Sequence, residues 1–250
     1  MKSKLTISIA SILSVLVLVG VGFAAWVIIN PKVEKEAPGN IEVEEVQDLS
    51  YSLDAEMTGN IVFGATATQA ETTNKWLTTK GGTPESLTAT LKLTVNYKEN
   101  GWDMLPQKFS FKIETTNDND KVFNALRDAT KIADKVTSGK RILANPTIKY
   151  TKANESTETT ATLEMNSTTT VDIDRAAFVK DDTTHKATLI VKIVFAWGSD
   201  LTGINPYEYY NAQEYSDTLA AEAAGVLKDL YQLKNVGYKV TVSGDTTLPA

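Results

Sequence analysis

Paired carboxylates, a lone histidine and a cluster of aromatic rings are the residues of this chain whose types and spacing could do chemistry. Asp172 and Asp174 stand two apart, so on a strand they would share one face, separated by about 7 Å. Such a pair can hold a cation or serve glycoside hydrolysis, where two acids flank one bond. No aromatic sugar platform lies close to it in sequence, and a solvated sheet face has the same pattern. His185 is the only histidine and sits in the polar turn Asp181-Asp182-Thr183-Thr184-His185-Lys186, which excludes a His-rich zinc site. The chain has no cysteine, so thiolate catalysis and thiolate ligation are excluded too. No Gly-rich phosphate loop follows a strand, and no Gly-x-Ser-x-Gly elbow occurs. Asn117-Asp118-Asn119-Asp120 opens like a calcium loop, but Val122 takes the next ligand position and the required glycine is missing. A non-enzymatic protein without cofactor or metal is the expectation.

The aromatic cluster lies between Trp197 and Asn211, where Trp197, Tyr207, Tyr209 and Tyr210 follow a near-continuous apolar stretch. Exposed, these rings could stack on sugars or anchor a protein partner. Turned inward, they would hold down their own long loop.

The elements that must position these groups are mostly strands. Leu87, Ala89, Leu91, Leu93, Val95 and Tyr97 alternate with Thr88, Thr90, Lys92, Thr94 and Asn96, a period of two that marks a strand with one buried face. Phe109, Phe111 and Ile113 repeat the pattern. Further strands are expected at 49–53, 147–152, 158–165, 169–173, 187–197 and 238–243, with abundant threonine suited to a pleated surface. Two segments keep helical spacing instead. One carries Val122, Leu126, Ala129, Ala133 and Val136 and runs to Ser138-Gly139, with Asn117 and Asp120 as its cap. The other runs from Ala212 to Lys234, with Tyr215, Leu219, Ala223, Leu227, Leu230 and Leu233 as its buried stripe and Asn211 and Glu214 as a capping box. The expected fold is mainly β (α+β): a β-sandwich, a jelly roll being one form of it, with two helices packed on the sheets.

The N-terminus sets the location. Lys2 and Lys4 precede Leu5–Ile29, which carry no charge over 25 residues. A helix of that length rises about 37 Å, enough to cross a bilayer core of about 30 Å. The basic start puts the amino end inside and the remainder outside. Gly22-Phe23-Ala24 before Ala25 could equally be a cleavage site. Residues 1–31 are thus a signal peptide or transmembrane anchor, 32–40 a linker rich in charge and punctuated by Pro38-Gly39, and 41–250 an extracytoplasmic β-rich domain. Loss of Lys2 and Lys4 with the leader moves the net charge from −6 to −8, which repels phosphate backbones and argues against nucleic acid as a partner. An exported chain without cysteine relies on core packing and fits a Gram-positive-type bacterial surface.

The leader Gly20-Val21-Gly22-Phe23-Ala24-Ala25-Trp26, the spacer after it and the first strand Gly39-Asn40-Ile41-Glu42-Val43 resemble those of the TasA/camelysin family of bacterial biofilm-fibre proteins. Val27-Ile28-Ile29-Asn30-Pro31 departs from the family's pattern after the cut and lengthens the apolar run. The resemblance implies an extracellular-matrix protein that forms fibres. With Ala25 as a new N-terminus, Trp26, Val27, Ile28 and Ile29 would form a short apolar strand able to insert into a sister subunit. The alternative is a membrane-tethered module, held through residues 5–29, that binds cell-wall glycan or a protein partner through Trp197, Tyr207, Tyr209 and Tyr210. Protease activity attributed to some relatives would need zinc ligands that this sequence lacks.

Overall fold

The computed structural model describes residues 25–29, 51–59, 61–63, 66–67, 77–78, 82–83, 85, 87–116, 120–233 and 236–244, with the backbone alone for 25–29, 66–67, 77–78 and 120. The chain is mainly β. One sheet has four strands in the order β1 (Ala25–Ile29), β12 (Gly237–Gly244), β6 (Lys108–Thr116), β9 (Val171–Asp174). The other runs β2 (Tyr51–Thr58), β5 (Thr88–Tyr97), β11 (Lys186–Trp197), β7 (Leu143–Thr151), β8 (Glu158–Thr162), with β10 (Val179–Asp181) paired to the start of β11. A short pair, β3 (Thr66–Ala67) and β4 (Leu77–Thr78), stands apart. All pairings are antiparallel except β1 with β12.

Alternation decides which side of each strand is buried. In β5 the inward Ala89, Leu91, Leu93 and Val95 are at most 1% exposed, while Lys92 between them faces solvent. β11 buries Ala187, Leu189, Val191, Ile193, Phe195 and Trp197 on the matching side. The first sheet answers with Phe109, Phe111, Ile113, Ile173, Tyr238, Val240 and Val242. The two inner faces meet at Phe195 and Tyr238, whose ring centroids lie 5.1 Å apart, and Tyr238 Oη reaches Met57 Sδ at 3.4 Å. Each buried aliphatic or aromatic side chain of this size contributes about 1.5–3 kcal/mol. Pro146 sits inside β7 without disrupting it. The register jumps there, so that Asn145 and Pro146 together oppose Phe195. The bulge accommodates a residue with no N–H to offer.

Both helical segments differ from the sequence expectation. The first is α1 (Asp120–Asp128), which buries Val122, Phe123, Ala125 and Leu126 and stops ten residues short of Ser138. Ala129 adopts φ 58°, and Thr130 N–H donates to Ala125 O at 3.1 Å, a helix-ending turn. Residues 132–136 then fold back in a tight bridged turn. The cause of the early stop is tertiary: buried Asp229 accepts hydrogen bonds from Thr137 N–H (2.9 Å) and Ser138 N–H (2.8 Å), drawing the chain away from a helical path. The second segment is two helices, α2 (Pro206–Asn211) and α3 (Asp217–Tyr231). Asn205 caps α2 with Pro206 in its first turn, and Ser216 Oγ accepts from Leu219 N–H at 3.2 Å to start α3. Asn211 therefore ends a helix, and Tyr215 lies outside α3 and is exposed. Residues 25–29, the end of the uncharged run expected to be helical, form a strand; 1–24 lie outside the described residues. No helix among the described residues is long and apolar enough to cross a membrane.

Candidate functional site

The position of β1 has the least local explanation. It lies parallel to β12 in the register Ala25–Tyr238 to Ile29–Val242, closing one edge of the four-stranded sheet. It also approaches β2 of the other sheet, where the inward Leu53, Ala55 and Met57 are only half-buried. Without β1, β12 would be an edge strand of eight residues with a free row of backbone donors and acceptors. Its inward Tyr238, Val240 and Val242 are completely buried, and burial pushes the Tyr238 hydroxyl above its ordinary pKa. The sequence between β1 and β2, residues 30–50, is 21 residues long. Trp26, Val27, Ile28 and Ile29 are thus brought to an edge that can accept a strand, with Pro31 two positions beyond the last pair.

The aromatic segment is mostly turned inward. Trp197 is 5% exposed, donates from Nε1 to Gly82 O at 3.0 Å and meets Phe63 edge-on at 5.4 Å. Tyr210 is fully buried, and its hydroxyl donates to Glu222 Oε1 at 3.0 Å. Burial first, and Glu222 second, raise the Tyr210 pKa far beyond that of a free phenol. Glu222 is also paired with Lys140 at 2.7 Å, so α2, α3 and the segment leading into β7 share one polar bracket. Tyr207 and Tyr209 are half-buried against the core, with Tyr209 edge-on to Tyr210 at 4.9 Å. Trp197 and Tyr210 are therefore not surface for a ligand; Tyr207 and Tyr209 present partial faces. Gly198 follows Trp197 where any side chain would collide with the carbonyl of Arg141, which fixes the turn out of β11.

The other candidate groups do not converge. Asp172 and Asp174 share the exposed face of β9, where Ser110 Oγ donates to Asp172 at 2.6 Å. His185 adopts φ 52° in the turn between β10 and β11, half-buried, with its ring edge-on to Tyr97 at 5.9 Å. Among the described residues no three His, Cys, Asp or Glu side chains gather as a metal site. Asn117, Asp118 and Asn119 lie outside the described residues. Sequence reasoning missed the Asp229 bracket. Its signal was an acid at helical spacing from Val226 and Leu233, inside an apolar stripe.

Comparison of the chain with models of known families, with curated proteins and with solved structures gives no match.

Proposed function

We propose that this chain is an exported, non-enzymatic surface or matrix protein that assembles head-to-tail, each copy inserting Trp26, Val27, Ile28 and Ile29 beside β12 of the next. The observation that carries this reading is the pairing of residues 25–29 with a strand more than two hundred residues away, across a 21-residue connection. A connection of that length spans up to about 70 Å extended. This is enough to place the strand in a neighbouring copy instead of its own. Apolar surface leaving water favours insertion by about 25 cal/mol per Å², and the β12 edge adds backbone hydrogen bonds. Because donor and acceptor are different surfaces, the contact is heterologous and repeats along a filament.

Within this reading the two facing sheets form a jelly-roll-like sandwich, and the resemblance to TasA/camelysin fibre proteins supplies the biological setting at a bacterial surface. The uncharged stretch before the strand, Leu5 to Ala24, keeps 20 residues, about what a membrane span or an export signal requires. A second reading keeps that stretch as an anchor and uses Tyr207 and Tyr209, whose half-exposed rings could meet cell-wall glycan or a protein. Cell fractionation with N-terminal sequencing separates the two. A mature start at or next to Ala25 outside the membrane supports the fibre; an intact Met1 in the membrane fraction supports the tethered module. In the second case Tyr207→Ser with Tyr209→Ser would weaken binding by more than the loss of their half-buried contacts lowers stability.

A further inference from the structure

The hairpin between β7 and β8 carries Asn154-Glu155-Ser156, the triplet Asn-x-Ser/Thr that directs N-linked glycosylation when it lies on an accessible loop of an exported protein. We propose that Asn154 is a glycan acceptor. Asn154, Glu155 and Ser156 are all exposed, and Asn154 adopts φ 64° at the tip of the turn. The loop is held from below by Ala153 N–H donating to Ala177 O at 3.1 Å and by Glu155 N–H donating to Lys152 O at 3.1 Å. The exposed triplet therefore sits on a turn that two backbone hydrogen bonds tie to its surroundings.

The chain has a second such triplet, Asn166-Ser167-Thr168, and the structure separates the two. Asn166 Oδ1 accepts from Thr115 N–H at 2.7 Å and from its hydroxyl at 3.0 Å, while Nδ2 donates to Asn124 Oδ1 at 3.2 Å. A transferase acting on the folded chain would have to break this set. A third near-match, Asn145-Pro146-Thr147, is barred by its proline. The reaction needs a lipid-linked oligosaccharide phosphate and an oligosaccharide transferase at the outer face of the exporting membrane. The source is therefore taken to be a cell with that machinery and not the Gram-positive-type surface that the lack of cysteine suggests. The bond from the anomeric carbon to the phosphate oxygen breaks, the bond from that carbon to Asn154 Nδ2 forms, and the nitrogen loses one proton.

The place of Asn154 gives the glycan a task. It lies on the rim of a groove of about 620 Å³ that Lys149, Lys192, Val179 and Ile190 also line. Val179 and Ile190 are 62% and 56% exposed, an apolar strip on the outer face of the larger sheet. A hydrated oligosaccharide on Asn154 would stand beside this strip and hinder lateral association there.

The inference rests on the export reading, since the transfer takes place across the membrane. The test is mass analysis of the full-length protein isolated from the cells that make it. Cleavage after glutamate separates Asn154 from Asn166, because Glu155, Glu158 and Glu164 lie between them. One oligosaccharide increment on the Asn154 peptide is expected, lost completely in Asn154→Gln and in Ser156→Ala and kept in Asn166→Gln. Protein recovered outside the membrane with Asn154 unmodified would overturn the proposal and leave export standing, as would an increment on Asn166 alone. Protein found only in the cytoplasm would defeat export and the proposal with it.

Discussion

In the pair β5–β11 nine residues match in unbroken register, Lys186–Asn96 to Val194–Thr88, and both strands are flanked by further strands of their sheet. In the pair β1–β12 five residues match, at a sheet edge, and one strand arrives across 21 residues of connection. The first contact is fixed by its surroundings: its inner face is packed on the opposite sheet, and a slip by one residue would turn every side chain to the wrong side. Among the described elements the second is held mainly by β12 and β2. Strength concentrated in the centre and a separable strand at the edge is the division expected if the edge is where copies join.

Breaking the central side of this comparison should have the largest effect. Phe195 touches Phe63, Phe123 and Tyr238 with ring centroids 5.1–6.4 Å apart. Phe195→Ala should cost about 3–5 kcal/mol in denaturant unfolding; a change under about 1 kcal/mol would mean that the sheets do not depend on this contact. Next comes Asp229, buried and shared by Thr137 and Ser138 N–H. Asp229→Asn offers one acceptor oxygen in place of two and should cost about 1–3 kcal/mol, with hydrogen exchange at residues 137 and 138 rising first.

The edge side should behave differently. A chain starting at residue 32 should still unfold cooperatively, because the central strands are untouched, but with an unfilled β12 edge. Adding a peptide with the sequence of residues 25–31 should then raise its melting temperature in a concentration-dependent way. No response would separate β1 from the proposed slot. The smallest effect belongs to the surface pair at the end of α1. Arg127, by its hydrogen bond, holds the Asp128 carboxyl below its ordinary pKa of 3.8. The stability it adds is complete above the unfolded value and is lost as pH falls through the folded one. Asp128→Asn should therefore lower stability by a few tenths of a kcal/mol at neutral pH and not at all in strong acid.

How far the sequence could be read depended on whether neighbours or distant residues decide a position. Leu87 to Tyr97 could be assigned inward or outward from alternation alone, and the buried set agrees residue by residue. The bounds of α1 and α3 could not, because Asp229 and Ser216 overrule spacing that would otherwise extend or merge the helices. Trp197, Tyr207, Tyr209 and Tyr210 stood out by composition, but a loop has no period from which to tell buried rings from exposed ones. For residues 26–29 the sequence left two readings, a short apolar strand and the end of a membrane helix, and the structure has the strand. The identity of the edge that receives it was not legible, since nothing local links Ala25 to Tyr238.

The most direct test of strand donation is growth of filaments from processed protein, followed by size-exclusion chromatography and electron microscopy. The account predicts that protein starting at Ala25 forms filaments and that the double variant Trp26→Asp with Ile28→Asp stays monomeric, because charged side chains oppose burial in an apolar slot. Filaments growing equally well from both would contradict it.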